Sequence, residues 1–403
     1  MQKKAITPQS VTAPAAFNLV PGMPSLYFNG LSCAGSSLPP IRFYPFAVSF
    51  FSLSRMCVLP KRVAVLLCCL FFCAATPSHA ADFLLFPSFT GLTQSNAVPS
   101  TQSMLNPQMV FFYAASSDNF KFLSEYSADR DSQEMERLLL GWTPNSESTL
   151  WVGRYHIPLG YWATEFHHGT YLQTSITPPS IAFDDEGGPF PTHPGGLFYE
   201  GTHYQKRASI NYGLGLGIGP VLDVQLQPLD ILSPAGSSGR PVASARISYR
   251  PVAEDPGEIG VFAGHGTIPV MNQPVTGVVQ NLAGMYFNQE MERSRTFGEL
   301  YLAGNRLYGS AASQFSSFTS AYVQEEYKIY RAWTLFGRVE NTFGAVGDAY
   351  LNLLPEFVNR RFLAGTRYEI TTDQAAKVEL SQNRMQLGIN FSQIALQWSM
   401  VLQ

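Results

Sequence analysis

Residues 207–218 read RASINYGLGLGI, and the alternation of their side chains decides the fold class. The even positions are apolar, namely Ala208, Ile210, Tyr212, Leu214, Leu216 and Ile218, whereas the odd positions carry Arg207, Ser209, Asn211 and three glycines. A period of two predicts a β-strand and not a helix. Residues 393–403 repeat the pattern, with Ile394, Leu396 and Trp398 on the apolar side. The sequence therefore predicts an all-β protein.

Similar runs recur along the chain from residue 84 onward. They predict strands near 84–91, 107–115, 118–128, 134–143, 148–156, 168–176, 196–204, 207–218, 221–228, 242–250, 258–267, 279–289, 296–307, 319–330, 333–342, 361–370, 375–383 and 386–402. Even strand numbers are the rule for single-chain barrels, so we expect about 16 strands within a range of about 12 to 18.

Alternation alone does not distinguish a soluble sandwich from a transmembrane barrel, because each has one apolar and one polar face. Strand length favours the barrel, since strands of about ten residues suit a tilted membrane crossing. Aromatic residues make up 13% of the chain and recur at predicted strand ends, which suits interfacial girdles; examples are Trp142, Trp151, Tyr161, Trp162, Tyr301, Tyr308, Tyr322, Tyr327, Tyr330, Trp333 and Phe343. We predict a single antiparallel transmembrane β-barrel.

The segment before the strands has the order of a secretory signal. Lys61-Arg62 precedes the apolar run VAVLLCCLFFCAA at 63–75, and small residues end at Ala80. We predict a signal peptide at 56–80, a barrel domain at 81–403, and a wrongly assigned N-terminal extension at 1–55. All five cysteines precede residue 81, so a disulfide scaffold is excluded for the barrel domain.

The charge of the predicted barrel domain differs from that of the whole chain. Six of the 26 Lys and Arg precede residue 81 and no Asp or Glu does, which leaves 20 basic against 29 acidic residues and a formal charge of −9. Nucleic-acid partners are disfavoured, because phosphate binding requires clustered Lys and Arg. The excess of acidic residues weakly favours cations as the ions that the protein attracts.

Residues 157–195 break the alternation with Pro, Gly, His and acids, and a loop of this length is commonly functional. We predict that it folds into a pore or covers it. Asp184, Asp185 and Glu186 form an acidic turn, which we interpret as a solvated tip or a source of negative potential at the pore mouth. His167, His168 and His193 are candidate metal ligands by residue type, although their spacing matches no structural zinc pattern and solvated loop chemistry is the alternative.

Charged residues recur on the predicted polar faces of the strands. If these faces line a lumen, the charges set ion preference, but paired salt bridges that fill a closed barrel explain them as well. The candidate pore-lining residues are Arg154, Arg207, Arg246, Arg250, Arg338, Glu340, Arg361, Arg367 and Glu369.

Catalytic patterns are missing from the sequence. There is no Gly-x-Ser-x-Gly elbow, and the His-Gly pairs at 168–169 and 265–266 have no neighbouring serine. We predict no catalytic residues and no cofactor, and therefore not an enzyme, while a hydrolase with a site on the barrel rim is the minor alternative.

The stretch 150–162, LWVGRYHIPLGYW, combines a strand that ends in Gly-Arg-Tyr with a Pro-x-Gly turn. It resembles an early strand of Gram-negative porin-type barrels, such as the phosphate-selective porin family, in which a long loop follows. The resemblance covers about one strand and its turn, and a charge of −9 departs from the basic ladder of that family. It implies a general diffusion channel or a cation-tolerant one.

These observations lead to a porin-like channel in the cell outer membrane that passes small hydrophilic solutes or ions. Its expected partners are outer-membrane lipid and the solutes, with no nucleic acid, and barrels of this size are often homotrimers. The alternative is a non-conducting outer-membrane receptor or metal-binding barrel.

Overall fold

The computed structural model describes residues 80–95, 103–130, 132–166, 169–183, 187–227, 239–309 and 313–403. Its strands are β1 (Ala80–Gln94), β2 (Ser103–Ser117), β3 (Phe120–Asp129), β4 (Gln133–Asn145), β5 (Ser148–Arg154), β6 (Gly195–Gln205), β7 (Ala208–Ile218), β8 (Val221–Asp223), β9 (Gln225–Gln227), β10 (Pro241–Arg250), β11 (Glu258–Pro269), β12 (Val275–Glu290), β13 (Ser294–Gly309), β14 (Gln314–Tyr330), β15 (Trp333–Phe343), β16 (Val358–Thr371), β17 (Gln374–Met385) and β18 (Asn390–Met400). The extension predicted at 1–55 and residues 56–79 of the signal peptide predicted at 56–80 lie outside the described residues.

Sixteen of these strands form one closed antiparallel barrel, which confirms the predicted fold class and strand number. Neighbours in the chain are neighbours in the sheet, except that β7 pairs with β10 because the hairpin β8–β9 stands apart. The barrel closes where β1 pairs with β18, from Ser88 opposite Ser399 to Gln94 opposite Gln393. Closure gives every barrel strand two partners, so no sheet edge is left open.

Helical structure is sparse among the described residues. The helix α1 (Trp162–Glu165) is a single turn, and two 3-10 turns cover Ser180–Ala182 and Leu351–Leu353. None of the helices in the described ranges is long and apolar enough to cross a membrane.

The two ends of the barrel differ in their connections. At one end, here called the turn end, the chain reverses within a few residues, as at 118–119, 146–147 and 206–207, and both β1 and β18 have their outer termini there. At the other, the loop end, the connections include residues 155–194, 219–240 and 344–357. Short turns on one side and long loops on the other are typical of outer-membrane barrels.

The apolar side of the alternation faces outward. Leu214, Leu216 and Leu396 are 53%, 62% and 56% exposed, whereas Lys377 and Glu379 on the other side are buried inside the barrel. A soluble sandwich would bury the apolar face instead. The orientation of the side chains therefore resolves the ambiguity that alternation left.

Two predicted strands do not belong to the barrel. Residues 169–176 of the predicted strand 168–176 run through the lumen as turns, and the predicted strand 221–228 contains the separate hairpin β8–β9. Both runs were long enough to pair, but β5 pairs directly with β6 and β7 directly with β10, which leaves no place for them in the sheet.

The aromatic residues divide between the two faces of the wall. Trp142, Tyr327 and Trp333 are exposed near the turn end, where a girdle is expected. The interpretation as girdle residues is wrong for five others, which are buried in the interior: Trp151, Tyr161, Trp162, Tyr301 and Tyr322.

Candidate functional site in the barrel lumen

The connection between β5 and β6, residues 155–194, turns back into the barrel, and we call it the lumen segment. Its two ends run side by side. The Tyr155 N–H donates to the Pro194 carbonyl at 3.0 Å, and the Ile157 N–H donates to the Thr192 carbonyl at 2.8 Å. Because the base is closed in this way, the described residues between 158 and 191 form a long excursion into the lumen.

The helix α1 of the lumen segment abuts a buried carboxylate of β13. The Trp162 N–H donates to Glu299 Oε1 at 2.6 Å, and the Tyr301 hydroxyl donates to Glu299 Oε2 at 2.5 Å. The Tyr322 hydroxyl donates to the same carboxylate. An N–H group at the start of a helical turn lacks a partner within the helix, so Glu299 supplies one and holds the turn in place.

Gly160 leads into α1 with φ of +94°, and a Cβ built there overlaps the Glu299 carboxylate and lies 2.6 Å from the Tyr301 hydroxyl. We expect Gly160→Ala to displace α1 and to lower the free energy of unfolding by more than the ~1–2 kcal/mol of left-handed strain alone. Gly347→Ala is the matched control, because Gly347 has φ of +78° but no atom within 4 Å of its built Cβ. Equal losses for the two variants, measured by denaturant unfolding in micelles, would contradict the close approach.

Four cations on the inner wall of β15–β17 bind backbone carbonyls of the lumen segment, and we call this set the cationic clamp. Its bonds are Arg338 to Thr177 at 2.5 Å, Arg361 to Pro178 at 2.8 Å, Arg367 to Gln173 at 2.8 Å and Lys377 to Thr170 at 2.5 Å, with a further bond from Arg367 to Tyr171. The side chains come from three adjacent strands. The clamp therefore fixes residues 170–178 along one side of the lumen.

Two carboxylates on the same side accept the N–H groups of the segment. Glu379 accepts from the backbone of Ile176 at 2.8 Å and Thr177 at 3.3 Å. Glu340 accepts from the Ser180 backbone at 2.8 Å and from its hydroxyl at 2.6 Å. The irregular backbone of the segment thus replaces its hydration with charged partners on the wall, as buried polar groups require.

The candidate pore-lining residues fall mostly inside the barrel, where the arginines pair with acidic side chains. Arg246 and Arg250 both lie 2.8 Å from Glu258, and Arg250 also lies 3.8 Å from Glu165 of α1. Other ion pairs join Arg154 to Glu134, Arg338 and Arg361 to Glu340, and Arg367 to Glu369. Their role in setting ion preference remains a prediction.

Arg207 is the exception among these residues. It lies exposed in the turn between β6 and β7, not on the inner wall. The strand starts one residue later than predicted, because Lys206 adopts φ of +54° to close the tight turn.

Apolar side chains of the wall and the lumen segment form one cluster that crosses the lumen. It includes Phe86, Phe112 and Leu139 on β1, β2 and β4, and also residues of β13 and β14 on another part of the wall. Phe190 of the segment stacks on Tyr301 with ring centroids 5.6 Å apart. Packing between the segment and β10–β12 is close, since a cavity beside Ile157 holds only about 20 Å³, room for one water molecule.

Burial also changes the acidity of two groups of the lumen segment. Desolvation raises the pKa of the Glu165 carboxyl, and nearby Glu258 raises it further. The pKa of the Tyr161 hydroxyl is raised by burial, although Arg295 acts in the opposite direction. Both groups therefore occupy a low-dielectric interior, in which unpaired charge is costly.

The candidate loop residues have separate outcomes. Asp184, Asp185 and Glu186 lie outside the described residues, as do His167 and His168. His193 is described and is buried beside Glu136, with Nε2 at 3.3 Å from a carboxylate oxygen. Sequence reasoning missed Glu136 and also Glu134 on the same strand. The signal available in the sequence was a break in the polar–apolar alternation of β4 between Glu136 and Arg137, because the residues that face inward change there from even to odd positions.

No protein-family model matches this chain, and no curated protein does. Solved structures match it in fold. OmpT, an outer membrane protein of Vibrio cholerae, has a TM-score of 0.52 at 8% identity over 81% of this chain and 100% of its own. The outer membrane channel DcaP of Acinetobacter baumannii and Salmonella typhi OmpF in complex with daunomycin also have TM-scores of 0.52, at 11% and 10% identity over 80% of this chain and 97% of theirs. At these identities the likeness shows the fold, a porin-type barrel.

Proposed function

We propose that the chain is an outer-membrane channel for the passive diffusion of small hydrophilic solutes or ions, with no enzymatic activity. One observation carries the proposal: the lumen segment lies inside a closed sixteen-stranded barrel and is held there by the cationic clamp. A sixteen-stranded barrel is wide enough for an aqueous channel, so a segment folded inside it narrows the passage. The apolar outer wall and the likeness to the channel DcaP support the membrane location.

The clamp also bears on selectivity. Arginines of the clamp that pair with the Glu340 and Glu369 carboxylates contribute little net positive potential to a passing ion, whereas the predicted barrel domain carries a formal charge of −9. We therefore expect a weak preference for cations. The resemblance to the phosphate-selective porin family does not imply that phosphate is the solute of this channel.

Planar-bilayer recording tests the proposal directly. The purified protein should give stepwise single-channel currents, and in asymmetric salt the reversal potential should have the sign of a mild cation preference. Correctly folded, heat-modifiable protein that carries no current would overturn the channel proposal. A reversal potential of the opposite sign would refute the selectivity.

A second candidate is a barrel that does not conduct at rest. The apolar cluster that joins the wall on β1, β2 and β4 to β13 favours it, because apolar side chains that meet across a lumen exclude water. Such a protein would act as a receptor or would open only when the lumen segment moves. This candidate would be supported if the unaltered protein carried no current in a planar bilayer and a variant without the lumen segment did.

The assembly is also a proposal. A homotrimer is expected, and one solved form of OmpT is described as a trimer, with a TM-score of 0.50 to this chain. Light scattering of the detergent-solubilised protein distinguishes one copy from three.

A further inference from the structure

Glu134, Glu136 and His193 form a cluster of mixed ligands near the loop end of the barrel. One ligand atom from each lies within 4.8 Å of the others. His193 Nε2 lies 3.3 Å from Glu136 Oε2, and the His193 side chain is only 2% exposed. The two acids are on β4, and the imidazole is at the far end of the lumen segment.

An irregularity in β4 brings the acids together. Glu125 of β3 pairs with Arg137 and the next residue, Tyr126, pairs with Met135, so Glu136 is an extra residue in a β-bulge. Bulges redirect side chains and are common beside functional sites. On the other side, Thr192 Oγ1 lies 3.3 Å from His193 Nδ1, which leaves Nε2 directed at Glu136.

We propose that these three side chains bind a divalent transition-metal ion of the zinc type. Zinc bonds of about 2.0–2.1 Å in tetrahedral geometry place two ligand atoms about 3.3–3.4 Å apart, which the His193–Glu136 separation matches. One imidazole and two carboxylates are hard-to-borderline ligands suited to zinc, and three protein ligands leave a fourth position for water. Glu134 supplies the third ligand atom, which lies within 4.8 Å of the other two.

Arg154 already pairs with Glu134, and this contact is compatible with the site. A carboxylate has two oxygens, so one can bind the metal while the other accepts from the guanidinium. Such outer contacts orient metal-binding carboxylates in known sites. The ion reaches the cluster from the loop end, where the side chains of Glu134 and Glu136 are 22% and 15% exposed.

Calorimetric titration of the purified protein with zinc chloride in detergent tests the site, and its outcome does not depend on whether the barrel conducts. We expect one binding event whose affinity falls at least about tenfold in His193→Ala and in Glu136→Gln. The control is His203→Ala, because His203 also lies beside one carboxylate, Glu147 at 3.5 Å, but both side chains are exposed. The control should bind zinc as the unaltered protein does.

Three results would overturn the proposal: no zinc binding, binding that survives both substitutions, or an equal loss in the control. The first would leave the cluster as an ion-pair network between β4 and the lumen segment. Heat-modifiable migration of each variant establishes that it has folded. Glu136→Gln keeps the shape of the side chain, so it tests ligation even if His193→Ala disturbs packing.

Discussion

Replacing residues 160–190 with a short Gly-Ser linker is expected to raise the single-channel conductance severalfold. The structure shows where to cut, because the hydrogen bonds of Tyr155 and Ile157 hold the two ends of the lumen segment side by side. The replacement removes the helix α1, the partners of the cationic clamp and Phe190, but it preserves β5, β6 and His193. A sixteen-stranded barrel without an inserted segment leaves an aqueous channel.

The measurement is planar-bilayer recording of the variant beside the unaltered protein at the same salt concentration. Arg360→Ala is a suitable control, since Arg360 is exposed and its guanidinium binds Asn341 at 3.3 Å without touching the lumen segment. Unchanged currents in the linker variant would show that the segment does not limit flow. If the linker variant inserts and conducts but the unaltered protein carries no current, the result would favour the second candidate, a barrel that does not conduct at rest.

Arg338→Met is expected to cost about 3 kcal/mol of unfolding free energy, near the low end for a broken buried ion pair. The Arg338 side chain is fully buried, donates to Glu340 at 2.8 Å and to Thr177 at 2.5 Å, and its guanidinium carbon lies 5.3 Å from the Trp162 ring centroid. Its removal takes away one of the two positive charges beside the buried Glu340 carboxylate, and only Arg361 remains, at 3.3 Å. The segment should also become susceptible to limited proteolysis between 169 and 183.

Denaturant unfolding in micelles measures this loss, and Arg360→Met provides the matched control. Arg360 directly precedes the clamp residue Arg361 on β16 but is exposed, so its replacement should change stability by no more than about 0.5 kcal/mol. The double replacement Arg338→Met with Glu340→Met should not recover the loss, because Arg361 and the Ser180 N–H then lose the carboxylate that they share. Equal effects of Arg338→Met and Arg360→Met would refute the clamp.

Much of the fold could be predicted from local pattern. The alternation at 207–218 and 393–403 identified strands of the right kind, since a strand exposes successive side chains to opposite faces whatever surrounds it. An irregular connection was predictable too, because Pro, Gly and His interrupt the alternation at 157–195. The strand predicted at 168–176 failed, because a short alternating run carries no information about whether a pairing partner is available.

The candidate site was only partly predictable. His193 was identified by residue type, but Glu134 and Glu136 come close to it through a bulge in β4, and a bulge is a property of the pairing with β3. The charges of β15–β17 were expected inside the barrel, yet their binding to backbone carbonyls of residues 170–178 depends on where the segment enters the lumen.

The amino-acid sequence by itself determined that the chain forms about sixteen amphipathic antiparallel strands with a long irregular connection, because alternation and turn residues are local properties. Only the tertiary structure decided which face is outside, which charges meet, and that the lumen is crossed by apolar packing. Closure of β1 on β18 is the physical reason. It converts one face of every strand into a shared interior, and the contacts within that interior join residues far apart in the chain.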